Sequence, residues 1–316
     1  MILTLTPNPL LDYKIFDTLA AGRPGGIRTA KIPFTVGGKG INVARMLKAF
    51  GKPALALTFS GGANGTRMQD ELRQQSIPAR FVQTAAETRL GIELFSEVPG
   101  QHRWWIENGE ELLETEIQAM LDLVSAEAES AAIIAMSGTI PGRRNTDFYL
   151  RVLERLSAFR GEIYLDARGT PLCDACKLGG FFIKHNRDES IESFGLDPFD
   201  QRQRHELLQM FRTRKIWGAM ITDGQRNIIL WDGSDCYEFA PAPAREISAV
   251  GCGDATLAGL IYGRRSGMSL LEASVLGLAA GAADAEKPGP CEASFEEIQQ
   301  KIRLVSLVKK SGSAET

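Results

Sequence analysis

The chain has 316 residues, 44% of them hydrophobic, with a formal net charge of −3 and five cysteines. That length and apolar content suffice for a large buried core, and a near-neutral balance with no long basic run argues against a protein that tracks nucleic acid. No apolar run approaches membrane-spanning length, the opening residues lack the pattern of a secretory leader, and an odd cysteine count in so large a chain points to reduced thiols, so a cytoplasmic location is expected.

Residues 2–6 read as a first strand. Residues 12–35 show no long helical period, hold Gly22, Pro24, Gly25 and Gly26, and exceed a simple strand-to-helix loop. Apolar positions at helical spacing predict a helix over 41–50, stopped by Gly51 with Pro53 beyond. A strand over 54–59, the pair Gly61-Gly62 and a helix to Gln75 follow. Strand-like patterns occupy 89–95 and 103–106, and a helix rich in apolar positions covers 112–124. A strand over 131–136 feeds Ser137-Gly138-Thr139-Ile140-Pro141-Gly142, a turn-rich switch into a helix at 148–156. Strands at 162–165 and 181–184, a helix over 204–211 and a strand over 216–222 continue the alternation. Residues 227–231 and 235–239 flank Asp232-Gly233-Ser234 as a hairpin. Two capping boxes, Ser269 with Glu272 and Ser294 with Glu297, open helices expected over 270–284 and 295–308. The tail from Ser311 is polar. Such alternation predicts an α/β fold with a mainly parallel sheet and helices on both faces.

Two glycine clusters stand out. In Val250-Gly251-Cys252-Gly253-Asp254 a glycine-rich turn runs into an apolar helix, so backbone N–H groups without intrahelical partners face one point and suit an anion. Asp254 on the first turn is, taken alone, best explained as a favourable charge at a helix start. Beside a phosphate cradle, the same carboxylate stands where a base would take a proton from an attacking hydroxyl. In Val36-Gly37-Gly38-Lys39-Gly40-Ile41-Asn42-Val43-Ala44-Arg45 the glycines permit close approach of a ligand and a lysine follows at once.

Together, and in this order, the two clusters resemble the signatures of the PfkB/ribokinase family of carbohydrate kinases. The opening Thr4-Leu5-Thr6-Pro7-Asn8-Pro9-Leu10-Leu11-Asp12 is most similar to its phosphofructokinase and tagatose-6-phosphate kinase branch. The resemblance spans nearly the whole chain. It implies one ribokinase-like domain over 1–316 with a small β-sheet lid from about 12–35 and 88–107. It also implies transfer of the γ-phosphoryl group of ATP to a hydroxyl of fructose 1-phosphate, fructose 6-phosphate or tagatose 6-phosphate. Asp254 is then the base and Gly251, Cys252 and Gly253 the anion hole.

By the same resemblance Asp12, Gly37, Gly38 and Asn42 hold the sugar, Lys39 pairs with an anionic group on it, and Arg89 or Arg103 takes its distal phosphate. Lys184, Asn186, Thr222, Gly224 and Lys287 surround the nucleotide, and Asn186 with Glu189 arranges Mg²⁺ through water. The chain departs from the family pattern at Gly91, where an asparagine is common, at His185 for proline, at Asn227 for glycine and at Cys252 for alanine. A thiol at a helix N-terminus is expected to be reactive. Trp104 and Trp105 suit lid aromatics or a homodimer contact. Asp166 reads as a cap on the turn that follows its strand. Cys173-Asp174-Ala175-Cys176 has redox spacing, yet no second pair or histidine cluster completes a metal set, and it reads as incidental. Two other readings stay open: a kinase for an unphosphorylated sugar or nucleoside, and a catalytically silent sugar-phosphate-binding protein.

Overall fold

The computed structural model describes residues 1–17, 32–96 and 103–311. In chain order, β1 (Ile2–Thr6), β2 (Leu10–Asp17) and β3 (Phe34–Gly37) lead into α1 (Lys39–Ala49), followed by β4 (Leu55–Gly61), α2 (Gly62–Gln74) and β5 (Ala79–Thr84). Then come β6 (Arg89–Ser96), β7 (Arg103–Ile106), α3 (Glu114–Ala128), β8 (Ile133–Ser137), α4 (Phe148–Arg155), β9 (Glu162–Asp166) and α5 (Gly169–Ala175). β10 (Phe182–Asn186), α6 (Arg187–Phe194), α7 (Gln201–Thr213), β11 (Gly218–Thr222), β12 (Ile228–Trp231) and β13 (Cys236–Ala240) continue the alternation. α8 (Cys252–Arg265), α9 (Leu270–Asp284), α10 (Phe295–Ile302) and β14 (Ser306–Ser311) close it.

Ten strands form one sheet in the order β14-β13-β12-β11-β10-β9-β8-β1-β4-β5. The pairs from β11 to β5 are parallel, and the three at the other edge are antiparallel. β1, whose five residues are all buried, is covered on both faces as a central parallel strand is. Two apolar cores result. One lies under α1, α8, α9 and α10, with Val43, Leu47, Leu257 and Ala279; the other lies under α3, α4 and α7, with Ile117, Val152 and Leu207. The expected α/β architecture with helices on both faces is therefore present.

β3, β2, β6 and β7 form a second, four-stranded sheet with β2 and β6 parallel. It carries the strands expected for the lid; residues 18–31 and 97–102 of that expectation lie outside the described residues.

The chain end differs from expectation. The helix predicted over 295–308 stops at Ile302, and Ser306–Ser311 instead extends β13 as an antiparallel strand. Leu304, Leu307 and Val308 are exposed, so their helical spacing buries nothing, while the open edge of β13 offers backbone partners. β5, α5 and α6 were not foreseen. β5 is an edge strand with one buried residue, which leaves little apolar alternation to read.

Candidate active site

β1 is the point from which the sheet grows both ways, to β4 on one side and β8 on the other, and in open α/β sheets a crevice forms there beyond the carboxyl ends of the strands. Both glycine clusters reach that crevice. Gly251 precedes α8 with φ of 89°, and a Cβ there would stand 2.5 Å from Cβ of Pro290, so only glycine fits. The Gly251 and Gly253 amides make no hydrogen bond among the described residues, and the Cys252 amide makes only a long one of 3.4 Å to the Ala249 carbonyl. Gly38 has φ of 126° at the start of α1, and a Cβ at Gly40 would lie 2.5 Å from Oγ1 of Thr6, which keeps this helix start against the end of β1.

Asp254 is buried on the first turn of α8. Its Oδ2 accepts a 2.8 Å hydrogen bond from Nδ2 of Asn42. Arg45, one turn on in α1, donates from Nη1 to Oδ1 of Asn42 at 2.6 Å and from Nη2 to the Val36 carbonyl at 2.6 Å, so the Asn42 amide must point its NH₂ at Asp254. Oδ1 of Asp254 takes no hydrogen bond from the described residues. Burial pushes the Asp254 carboxyl up to about 7, helped by Asp166 and opposed by Lys39, the Asn42 hydrogen bond and Lys184.

A charged cluster lies beside it. Asp166, fully buried at the end of β9, receives Lys39 on Oδ1 at 2.5 Å and Lys184 on Oδ2 at 3.2 Å. Burial would raise its pKa, yet the two ammonium groups hold it below the usual carboxylate range. Lys39 also donates to Oε1 of Glu189 at 3.0 Å. Burial alone would push Lys39 down; Asp166, Glu189 and Asp254 together carry it above the usual lysine range. Lys184 lies against Gly253, where any Cβ would collide with its ammonium.

Two cavities meet at the start of α8. The larger, about 1070 Å³, includes Gly38, Lys39, Asn42, Arg89, Gly251 and Asp254 in its wall. The smaller, about 230 Å³, includes Lys184, Asn186, Thr222, Gly224, Cys252 and Gly253. The predicted sugar-side and nucleotide-side residues thus divide between two neighbouring spaces with one helical turn as their common wall.

Five predicted residues lie outside both walls, among them Glu189, which is held by Lys39 and the Asn186 amide. Asp12 is not part of the larger cavity's wall; it faces Gly91 across the β2–β6 ladder, where a Cβ would approach its Oδ1 to 2.9 Å. A side chain at 91 would crowd that carboxylate, which burial and then Glu93 raise to about 6 against Lys14. Gly37 packs on Leu10, where a Cβ would meet Cδ2 at 2.7 Å. Arg103 is exposed on β7, outside both walls. Lys287 also lies outside both and pairs with Glu297 at 2.5 Å.

Cys252 corrects an expectation. Its thiol is pushed up to about 12 by burial and by Asp284, Glu246 and Asp254, so the helix start does not make it a ready thiolate. Its Sγ is 3.4 Å from the Ser248 carbonyl. Asp166 is not a simple turn cap; it is the anion that holds both lysines. Arg45, which sets the Asn42 amide, was also missed, and the i, i+3 spacing of Asn42 and Arg45 on one helix face was a readable sign for it.

Asn186 and Glu189 form a reciprocal cap on α6: Oδ1 of Asn186 accepts from the Glu189 amide at 2.8 Å, and Oε2 of Glu189 accepts from the Asn186 amide at 2.9 Å. Both Glu189 oxygens are thus engaged, as are both Asp166 oxygens. No group of three or more metal-ligating side chains exists among the described residues. This donor set suits a hydrated Mg²⁺ contacted through its waters and does not suit direct coordination.

A helix start with unpartnered amides beside a carboxyl poised near neutrality, with a cavity on either side, suits the transfer of an anionic group between two bound molecules. The chain belongs to the pfkB family of carbohydrate kinases, whose model matches residues 8–297, and it is a phosphotransferase with an alcohol group as acceptor. It is 30% identical to a 1-phosphofructokinase of Borreliella burgdorferi, covering 96% of each chain. It is 29% identical to ATP-dependent 6-phosphofructokinase isozyme 2 of Mycobacterium tuberculosis, covering 96% of this chain and 90% of that one. The structure of phosphofructokinase-2 from Escherichia coli in complex with potassium superposes with a TM-score of 0.86 at 25% identity, over 96% of this chain and 98% of that one.

Proposed function

We propose that this protein transfers the γ-phosphoryl group of ATP to a hydroxyl of a phosphorylated hexose: fructose 1-phosphate, fructose 6-phosphate or tagatose 6-phosphate. The observation that carries the reading is the shared wall at the start of α8, with Asp254 facing the larger cavity and Cys252 and Gly253 facing the smaller. The phosphofructokinase relatives support the substrate class.

Asp254 accepts the proton of the attacking hydroxyl on Oδ1 while Asn42, set by Arg45, fixes Oδ2. A base with a pKa of about 7 is half ionised near neutrality and strong enough to draw the proton as the new P–O bond forms. The Gly251, Cys252 and Gly253 amides stabilise charge on the transferring oxygens. Lys184 lies between Asp166 and this turn, where its charge adds to theirs. Asn186, Thr222 and Gly224 line the nucleotide side. Asn186 and Glu189 would hold the waters of a Mg²⁺ ion bound with ATP, which would supply neutralisation of phosphate charge.

The chain works in the cytoplasm as one domain. Exposed Ile92 and Trp105, opposite each other on one face of the four-stranded sheet, are the surface through which two copies pair, which a monomeric sedimentation coefficient would refute. ADP release with Mg²⁺ over the three phosphohexoses and the corresponding free hexoses tests the reaction. Turnover confined to a phosphorylated acceptor is expected. Turnover only with free sugars or nucleosides, or binding of sugar phosphates with ATP left intact, refutes it.

A further inference from the structure

We propose that Lys14 is a positioning residue for the phosphoryl transfer: it ties β2 of the four-stranded sheet to the segment that braces the Gly251 turn, and thereby keeps water from the reacting group. This rests on the phosphohexose kinase reading and goes beyond it.

Lys14 is an unexpected residue at its position. Side chains of a strand alternate between faces, so Leu10, Asp12 and Lys14 share one face of β2, and Arg89, Gly91 and Glu93 stand opposite them on β6. Leu10 and Arg89 line the larger cavity, so this is the face that the sheet turns towards the site. The Lys14 and Glu93 side chains are only 7% and 5% exposed, and their charged atoms are 3.7 Å apart. A buried pair of charges is a poor source of stability. Its value here lies in direction, because the Lys14 ammonium also donates to the Pro288 carbonyl at 3.3 Å, across 274 residues of sequence.

Pro288 belongs to a segment with little freedom. Asp284, at the end of α9, accepts on Oδ2 from the Cys291 amide at 2.8 Å and on Oδ1 from the Glu292 and Ala293 amides at 2.8 and 3.2 Å. Glu292 in turn accepts from the Gly289 amide at 3.1 Å. The Ala285 carbonyl accepts from the Ile247 and Ser248 amides at 2.7 and 3.2 Å, which holds the chain as it enters the glycine turn. Pro290 then backs directly on Gly251, so closely that a Cβ at Gly251 would lie 2.6 Å from the Pro290 Cα. Contacts therefore run without a break from β2, two residues beyond Asp12, through Pro288 and Pro290 to the first glycine of the anion hole.

A kinase must present the γ-phosphoryl group to a hydroxyl and withhold it from water. The four-stranded sheet walls the larger cavity with Leu10, Arg89 and Ile106, and Lys14 fixes that wall to the segment behind the Gly251 turn. Without this bond the small sheet can stand off from the turn, and water reaches the phosphoryl group.

The test follows ADP released and phosphohexose phosphorylated in the same reaction, for the parent, Lys14→Met, Lys14→Arg, and Lys14→Met combined with Glu93→Leu. The last variant removes the carboxylate that Lys14→Met would leave without its ammonium, and urea unfolding follows the stability of each. The parent is expected to release one ADP for each phosphohexose phosphorylated. Lys14→Met and the double variant are expected to release about twice as much ADP as product or more. Their kcat for transfer falls about 10-fold, the scale of one charge-assisted hydrogen bond, with ATP affinity within a few-fold. Lys14→Arg, which can still donate to Pro288, recovers most of the coupling. A merely structural role would lower stability and rate and leave the ratio at one. A ratio of one in the double variant therefore overturns the assignment, whatever its rate, and leaves the kinase reading intact. A parent that phosphorylates no phosphohexose overturns that reading and this one with it.

Discussion

His185 carries an unusual burden for one side chain. It is fully buried, its ring stands 6.0 Å from Phe194 and 6.4 Å from Phe211, and neither ring nitrogen has a partner. Burial lowers its pKa to about 4, with Glu189 and Asp166 opposing and Lys184 and Lys39 adding to the effect. In the unfolded chain the ring titrates near 6.5. Between pH 6.5 and 4 the unfolded state therefore binds a proton that the folded state does not, and stability falls as pH drops through that window. At pH 5 the loss is about 2 kcal/mol relative to pH 7. His185→Leu removes both orphaned nitrogens, and the variant should be as stable as the parent at pH 7 or more so, and should lose roughly 2 kcal/mol less on going to pH 5. Urea unfolding at the two pH values checks this; equal losses in parent and variant would show that His185 is not the group responsible. Single residues were legible where chemistry is local. Asp254 follows its glycines directly, but the role of Asp166 was hidden because its partners Lys39 and Lys184 are 127 and 18 residues away.

At the scale of elements, α8 and α9 do most to place the reactive turn. α9 is buried nearly all round, and the two helices touch through glycine: a Cβ on Gly259 would meet Cα of Gly277 at 2.7 Å, one on Gly277 would meet the Thr256 carbonyl at 2.5 Å, and one on Gly281 would collide with Oγ1 of Thr256. Backbones this close leave no room for even a methyl group. Gly277→Val must push α8 away from α9 and disturb the smaller cavity, which Gly281 and Thr256 both line. A loss of about 2–3 kcal/mol in urea unfolding is expected, with weaker ATP binding; unchanged stability would mean that the interface yields more easily than its spacing implies. The starts of α9 and α10 were readable because Ser269 with Glu272 and Ser294 with Glu297 form capping boxes as expected. The end of α10 was not, since it is decided by β13, which lies some seventy positions earlier and offers an open edge (Phe239 faces Leu307). α6 was hidden in the Asn186 and Glu189 pair, whose spacing serves a helix cap and water-mediated metal contact alike.

Across the whole molecule, strand order gathers what the sequence scatters. β1 supplies Thr6, β8 leads to Gly138, β9 ends in Asp166, β10 brings Lys184 and Asn186, and α1 and α8 start over the same ends. The result is two cavities, a carboxylate on one side of a helical turn and backbone donors between them. The most direct test is turnover by Asp254→Asn alongside its binding of ATP and of the phosphohexose that the parent uses. Asparagine keeps the size of the side chain but cannot accept the hydroxyl proton as a base. The expected result is a fall in kcat of about 1,000-fold, with both affinities within a few-fold of the parent. Turnover near the parental rate would contradict the assignment of the proton to Asp254.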